Sequence, residues 1–149
     1  MSLIQRTLVV LKPDAVWRSL IGEIVSRFER AWLNIVAMKM MKPDADFLHK
    51  HYEGIGKLWE RRGQDILQDV IEMMMAMPVV AMCVEGIEAV EFVRKIVGKT
   101  EPKWAAPGTI RGDYAHISYG YVDSTPSAKF NNLVHASADL DEAKQEVAL

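Results

Sequence analysis

Two short apolar runs, each stopped by a Lys-Pro pair, constrain the fold of this chain more than any other sequence feature. Residues 7–11 are followed by Lys12 and Pro13, and residues 34–41 are followed by the same two residue types. Apolar and β-branched residues in runs of this length favour buried strands. Proline ends such a strand because it has no backbone N–H for the next ladder hydrogen bond. Both runs are therefore predicted to be strands.

Helical periodicity separates the strand-like runs. Ile21, Ile24 and Phe28 recur at the spacing of one helix face, with charged residues between them. Asp44 and Asp139 stand where a side chain would cap the start of a later helix. The other predicted elements are strands at residues 79–85 and 114–122 and helices at residues 21–32, 44–52, 59–77, 87–97 and 140–147.

The order of these elements indicates the fold class. With the central pair of helices set aside, the order is the βαββαβ pattern of a ferredoxin-like sandwich. We therefore predict an α/β (α+β) fold whose four-stranded antiparallel sheet carries an inserted helical pair. The sequence has no internal repeat, low-complexity tract or linker, so residues 1–149 are predicted to form a single domain.

Composition excludes several classes of protein. The formal net charge is −2, so the chain has no overall attraction for nucleic acid, and any anion must be bound by a local cluster of cations. No apolar stretch approaches the ~20 residues of a membrane span, and the amino end is too polar for a signal peptide. Cys83 is the single cysteine, as fits a reducing cytosol. We expect a cytoplasmic protein with no membrane or nucleic-acid partner.

Three segments contain residue types that bind or react with phosphate. Lys12 puts an ammonium at the end of the first predicted strand, where sheet proteins often bind ligands. Residues 107–113 contain two glycines, which let a backbone approach an anion, and Arg111, which can bind phosphate oxygens in pairs. His135, within residues 132–137, lies near an amide, a hydroxyl and the start of the last predicted helix. Each signal alone is weak, because a single histidine or arginine is more often structural or solvated.

Together these segments resemble the nucleoside diphosphate kinase family. The most specific are Pro-Gly-Thr-Ile-Arg-Gly-Asp at residues 107–113 and Asn-Leu-Val-His-Ala-Ser at residues 132–137. Shorter matching segments occur in the family's order along nearly the whole chain. They lie at residues 7–14, 22–24, 51–52, 78–82, 85–86 and 98–102.

The resemblance implies a reaction and the residues that carry it out. His135 matches the nucleophile that takes the γ-phosphoryl of a nucleoside triphosphate, typically ATP, and passes it to a nucleoside diphosphate by a ping-pong route. Imidazole suits this role because much of it is unprotonated near neutral pH. Glu146 matches the carboxylate that orients the imidazole, and Ser137 matches a hydroxyl near the nucleophile.

The resemblance also implies how the nucleotide is bound. The matching residues are Lys12, Tyr52 and Asn132 around the transferred phosphate and the sugar 3′-hydroxyl, and Arg94, Thr100 and Arg111 in the phosphate clamp. Mg²⁺ is implied as a cofactor that bridges the nucleotide phosphates with mostly water ligands, since the sequence offers no evident carboxylate cage. Family members assemble as tetramers or hexamers, so a homo-oligomer is implied.

The stretch between Tyr52 and Pro78 is longer than the family pattern. The family has an aromatic shelf for the base here, and Trp59 is the aromatic residue in reach. Trp59 is predicted either to stack on the base or to be a core or hinge residue. Either Arg61 or Arg62 is expected to add a phosphate contact.

The chain also departs from the family near its carboxyl end. Residues 118–129 are largely additional, and they are predicted to prolong the strand at 114–122 and then turn back along the surface. Ala138 stands where the family usually has an aspartate directly after the serine, which moves the predicted helix cap to Asp139.

Two other functions remain open from the sequence. The first is a non-catalytic nucleotide-binding or scaffold protein on the same fold, which would not need the full set of phosphate-binding residues together with His135. The second is a ferredoxin-like RNA-binding domain, which would need a basic sheet face with aromatic residues at alternate positions. The near-neutral charge argues against the second function.

Overall fold

The computed structural model describes residues 2–55 and 63–148. In this part of the chain four strands form one sheet: β1 (Ile4–Leu11), β2 (Asn34–Met41), β3 (Val79–Ile87) and β4 (Val134–Ala136). Their spatial order is β2-β3-β1-β4, and every neighbouring pair is antiparallel. The predicted ferredoxin-like class with a four-stranded antiparallel sheet is confirmed.

Helices lie between the strands and after β4. They are α1 (Pro13–Trp17), α2 (Ile21–Arg30), α3 (Ala45–His49), α4 (Gln64–Met75), α5 (Ala89–Val97), α6 (Ile110–Tyr114), α7 (Tyr119–Ser124) and α8 (Leu140–Ala148). A π-helical turn (Lys50–Ile55) continues α3, and a 3₁₀ turn (Pro102–Trp104) follows α5. No helix in residues 2–55 and 63–148 has both the length and the apolar character needed to cross a membrane.

Side chains of β1 reach two different cores because they alternate between the faces of the sheet. Val9 and Leu11 pack in the larger cluster, which also contains Phe28 of α2. Val10 points to the opposite face and packs in a second cluster with Leu48 of α3. Covering both faces explains why β1 is a continuous apolar run in the sequence.

The predicted strand at residues 114–122 is wrong, because this segment is mostly helical. Ser118 caps α7, since its side-chain oxygen accepts a hydrogen bond from the Tyr121 N–H at 3.1 Å. The Tyr119 ring stacks on Phe130, with 4.3 Å between ring centroids. The alternation of large and polar residues was therefore a local coincidence. The fourth strand is β4, and His135 lies inside it, ahead of α8.

The starts of two helices also differ from the prediction. The helix predicted from residue 59 begins at Gln64 in the described part of the chain, after Gly63, whose φ of 92° is not helical. The helix predicted from residue 87 begins at Ala89, since Ile87 still pairs with Ile4 in the sheet.

The two predicted helix caps are confirmed. The Asp44 carboxylate accepts a hydrogen bond from the Phe47 N–H, and the Asp139 carboxylate accepts one from the Glu142 N–H, both at 2.8 Å. The helix after the His135 strand is therefore capped by Asp139, the residue that follows Ala138.

Candidate active site

The pairing of β1 with β4 brings two distant segments of the chain together. Val10 is opposite His135, and Leu11 is opposite Val134. Lys12, which follows β1, therefore lies beside the residues that precede β4. The Lys12 ammonium donates a hydrogen bond of 2.7 Å to the Asn132 side-chain oxygen, and both side chains are buried.

Leu133 connects this pair to β4 through a strained turn. Its φ is 72°, in the left-handed region that branched residues rarely occupy. The Val134 N–H donates to the Asn132 carbonyl at 2.8 Å and closes the turn. The buried Asp14 carboxylate accepts the Leu133 N–H at 3.0 Å, and the Lys12 N–H donates to the Leu133 carbonyl at 2.8 Å. Hydrogen bonds on both sides of Leu133 hold it in this conformation.

Helix α8 brings a carboxylate to the other side of His135. Glu146 Oε2 lies 2.6 Å from His135 Nε2, and the Glu146 side chain is fully buried. A ring nitrogen that faces a carboxylate donates its proton to it, so Nε2 carries the N–H. The lone pair of the neutral ring is then on Nδ1. The pKa of Glu146 is raised by burial, while Glu142 and Ser137 beside it lower the pKa.

Burial and nearby cations keep the His135 imidazole unprotonated. Burial lowers the pKa of His135 to about 3, and the positive charges of Lys12, Arg111 and Arg94 contribute to the decrease. Burial, followed by the charge of Arg111, lowers the pKa of Lys12 itself to about 8, although Asp14 partly opposes the decrease. The pocket around His135 therefore contains several positively charged side chains whose charge is only partly balanced by negative groups.

Arg111 is buried and holds the backbone around β4. Its Nε donates to the Asn132 carbonyl at 3.1 Å, and one terminal nitrogen donates to the Gly98 carbonyl at 3.0 Å. The other terminal nitrogen makes a short hydrogen bond to the Val134 carbonyl. Arg94 donates to the Ala136 carbonyl at 3.0 Å. Burial, followed by the charge of Arg94, lowers the pKa of Arg111 to about 10.

The remaining predicted site residues lie around this centre. The Asn132 amide donates to the Thr100 carbonyl at 2.9 Å. Ser137 is buried, and its hydroxyl accepts a hydrogen bond from the Leu8 N–H at 3.3 Å. The ring centroid of Tyr52 lies 6.4 Å from that of His135. Burial raises the pKa of the Tyr52 hydroxyl.

Three predictions fall on residues that the structure does not describe. The proposed base shelf and the two candidates for a further phosphate contact all lie outside residues 2–55 and 63–148. They are Trp59, Arg61 and Arg62.

Comparison with known proteins decides the family. The family model described as nucleoside diphosphate kinase matches residues 5–149. The chain belongs to the nucleoside diphosphate kinase family. It is 46% identical over 149 residues to the nucleoside diphosphate kinase of Pyrococcus furiosus, covering all of this chain and 84% of that relative. It is 44% identical to the enzyme of the same name from Sulfurisphaera tokodaii, covering 98% of this chain and 88% of that relative.

Solved structures of nucleoside diphosphate kinases have the same fold. A transition-state mimic of the Borrelia burgdorferi enzyme with bound vanadate and ADP superposes with a TM-score of 0.91 at 42% identity, covering 98% of this chain and 86% of that one. The Halobacterium salinarum enzyme in complex with CDP superposes with a TM-score of 0.79 at 37% identity, covering 97% and 85%. As a member of this family, the chain is a phosphotransferase that acts on nucleotides.

Sequence reasoning gave no role to two buried groups of this nucleoside diphosphate kinase site. The His51 ring lies edge-on to the His135 ring, with 4.5 Å between centroids, and His51 Nδ1 is 3.5 Å from Glu146 Oε2. Asp14 supports the turn at Leu133. Both residues belong to segments that carry the family resemblance, but nothing in their spacing indicated that they would lie beside His135 and its supporting turn.

Proposed function

We propose that His135 carries the phosphoryl group in a reversible ping-pong transfer from a nucleoside triphosphate, typically ATP, to a nucleoside diphosphate. The 2.6 Å contact between His135 Nε2 and Glu146 Oε2 carries this proposal. With the ring proton on Nε2, the Nδ1 lone pair is the one available for attack on phosphorus. The pKa of His135, lowered to about 3, keeps this lone pair free at neutral pH.

The chemical step exchanges one bond to phosphorus for another. Nδ1 bonds to the γ-phosphorus while the bond from that phosphorus to the β–γ bridging oxygen breaks, and the nucleoside diphosphate leaves. Positive charge develops on the ring during attack, and the Glu146 carboxylate stabilises it through the Nε2–H. The second half reaction is the reverse, with the β-phosphate oxygen of another nucleoside diphosphate as the nucleophile.

The cations around His135 support binding of the transferred phosphoryl group. Lys12 and Arg111 each have a pKa lowered by burial and by a neighbouring positive charge. An anion between them would compensate these charges, and phosphoryl transfer depends chiefly on positioning and charge stabilisation. Lys12 and Asn132, already hydrogen-bonded to each other, are assigned to the phosphate and the sugar 3′-hydroxyl. Arg94 and Thr100 are assigned to the phosphate clamp together with Arg111, and Tyr52 is assigned to the surroundings of the transferred phosphoryl group.

We assign Mg²⁺ to the nucleotide rather than to a protein cage. Mg²⁺ prefers oxygen ligands in octahedral geometry. Within residues 2–55 and 63–148, three side chains that could bind a metal lie close together: His51, His135 and Glu146. Two of these three ligand atoms are nitrogens, so the group does not suit Mg²⁺. Bound with the nucleotide, Mg²⁺ would neutralise phosphate charge, while Lys12 and Arg111 would bind the remaining oxygens.

The alternative of a non-catalytic scaffold is disfavoured by the detail of the site. A scaffold that only binds nucleotide has no need to bury a carboxylate against one nitrogen of an unprotonated imidazole.

We further propose that residues 1–149 form one domain. We also propose that the protein is cytoplasmic, as its single cysteine, Cys83, favours.

The test is to incubate the protein with ATP and Mg²⁺ and to measure its intact mass under alkaline conditions. We expect one added phosphoryl group that survives base, is lost in acid and is discharged by added nucleoside diphosphate. A phosphohistidine behaves in this way, whereas phosphoserine survives acid. An unmodified mass in protein that binds ADP would support the scaffold alternative and refute the proposed route.

We also propose that the protein assembles into a homo-oligomer, as a tetramer or hexamer, through an uncovered face of β2. Met38 pairs with Met82 and Met40 pairs with Val80, and both β3 residues belong to the larger core. Met38 and Met40 are nevertheless 50% and 57% exposed. The apolar face of the sheet thus extends beyond the helices that cover it, and a second copy of the chain would bury the remainder.

Replacing Met40 by glutamate should therefore reduce the assembled mass. A charge on this face would have to be desolvated in the interface, so we expect dissociation to smaller species, measured by light scattering. Met75→Glu provides a matched control, because Met75 is 37% exposed and lies on α4, whose buried residues pack in the second core on the opposite face of the sheet. If Met40→Glu keeps the wild-type mass, β2 is not the interface.

A further inference from the structure

We propose that His51, His135 and Glu146 form a binding site for a divalent transition-metal cation of the Zn²⁺ class, and that an occupied site cannot be phosphorylated. The three side chains each offer one ligand atom, and these atoms all lie within 4.8 Å of one another. The residues come from the turn after α3, from β4 and from α8. The sheet and both flanking helical segments therefore converge on this point.

The distances between the ligand atoms are close to those of a tetrahedral metal site. Glu146 Oε2 is 3.5 Å from His51 Nδ1 and 2.6 Å from His135 Nε2. Ligands on a tetrahedron with bonds of about 2.0 Å lie about 3.3 Å apart. A cation would therefore need only a small separation of Glu146 from His135.

Two buried polar atoms at this point have no hydrogen-bond partner among residues 2–55 and 63–148. They are His51 Nδ1 and Glu146 Oε1. His51 is only 5% exposed, so water does not readily satisfy its free nitrogen. A cation with an affinity for nitrogen and oxygen would satisfy both atoms at once.

The charge state of the ligands favours metal binding at neutral pH. Burial lowers the pKa of His51 to about 3, with further contributions from His135 and Lys12. Neutral imidazole is the form that coordinates metals. The Lys12 charge opposes a cation here, but Glu146 supplies a carboxylate.

The ligand set selects the class of metal. Two imidazoles and one carboxylate, with a water as the fourth ligand, are a common set for Zn²⁺. The same set is poor for Mg²⁺, which requires more oxygen ligands. The Mg²⁺ that accompanies the nucleotide should therefore not compete for this site.

An apolar cavity approaches the site from the face of the sheet that α3 covers. It has a volume of about 420 Å³, and its lining includes Leu8, Leu48 and Cys83 as well as His51 and Glu146. His51 and Glu146 thus border a cavity through which a small cation can reach the site.

A metal ion in this site would prevent His135 from acting as the nucleophile, because it changes which ring nitrogen carries the proton. This consequence rests on the proposed function. Neutral imidazole carries one proton. When a metal takes the Nε2 lone pair of His135, the proton held between Nε2 and Glu146 must move to Nδ1. Nδ1 then has no free lone pair and cannot attack phosphorus.

Metal binding is tested directly by titrating the protein with Zn²⁺ in the absence of nucleotide. We expect about one equivalent to bind to the wild-type protein, and we expect His51→Gln to weaken binding at least about tenfold, as loss of a ligand should. His116→Gln is the matched control, because His116 is exposed and should leave the affinity unchanged. Histidine ¹⁵N NMR of the wild-type protein gives a second measurement, in which Zn²⁺ should shift His51 and His135 but not His116.

The coupling to phosphorylation is tested on protein that has first been phosphorylated and then freed of nucleotide. In phosphohistidine the remaining ring proton is on Nε2, so Zn²⁺ should bind at least about tenfold more weakly than to the unmodified protein. Equal affinity for Zn²⁺ before and after phosphorylation would refute the proposal that an occupied site cannot be phosphorylated. The metal site itself would be refuted if His51→Gln bound Zn²⁺ with wild-type affinity, or if Zn²⁺ left the His51 and His135 signals unshifted. Absence of a phosphorylated form without Zn²⁺ would instead refute the proposed function.

Discussion

Replacing His135 by asparagine should reduce phosphoryl transfer between nucleotides by about 10⁴-fold or more, since loss of a covalent nucleophile removes the whole route. Binding of ADP should remain within a few-fold of the wild-type affinity. Asparagine is polar and of similar size, and the neighbouring cations Lys12 and Arg111 are unchanged. The measurement is kcat for transfer from ATP to a second nucleoside diphosphate, together with calorimetric titration of ADP.

His116→Asn is the matched control for this experiment. It makes the same chemical change at an exposed histidine, and we expect wild-type turnover from it. Near-normal turnover by His135→Asn would show that another group is the nucleophile. Loss of ADP binding together with turnover would show instead that His135 has a role in the fold.

Replacing Arg111 by lysine should damage both stability and activity. Lysine keeps the charge but cannot donate in three fixed directions, so the carbonyls of Gly98, Asn132 and Val134 would lose partners in a buried region. We expect the free energy of unfolding to fall by about 2–4 kcal/mol, because each unsatisfied buried group costs about 1–3 kcal/mol and neighbours relax in part. We expect kcat/KM to fall at least about 10²-fold, because β4 and His135 within it lose their support.

The control for Arg111 is Arg6→Lys. Arg6 forms an exposed ion pair with Glu85, and such pairs contribute at most about 1 kcal/mol. Urea denaturation measures the stability of both variants, and steady-state kinetics measures their activity. An Arg111→Lys protein as stable as Arg6→Lys would mean that the three carbonyl contacts contribute little. Full activity in a destabilised variant would mean that Arg111 acts on the fold alone.

The sequence predicted the elements whose burial pattern is simple. β1 and β3 are covered on both faces and read as continuous apolar runs, and β2 ends at the proline-bounded position expected for it. The strand at residues 114–122 was a wrong prediction, because alternation over a few residues does not distinguish an exposed helix from a strand. β4 escaped detection because three residues are too few to show any period.

The site was predicted from motifs rather than from physical periodicity. Lys12 and Asn132 meet only because β4 pairs with β1, a contact between segments that no local pattern connects. His51 approaches His135 from a π-helical turn, whose side chains do not follow the spacing of an α-helix. The left-handed φ of Leu133 was not predictable either, since glycine or asparagine is the usual signal for it.

The position of the two arginines also protects the open edge of the sheet. In an antiparallel pair, alternate residues turn their backbone groups away from the partner strand. On β4 these are Val134 and Ala136, whose carbonyls would otherwise be free to pair with the strand of another molecule and nucleate aggregation. Arg111 donates to the first carbonyl and Arg94 to the second. The guanidinium groups assigned to phosphate thus also bind the carbonyls with which a strand of another molecule would have to pair. The site can therefore lie on a sheet edge without promoting aggregation there.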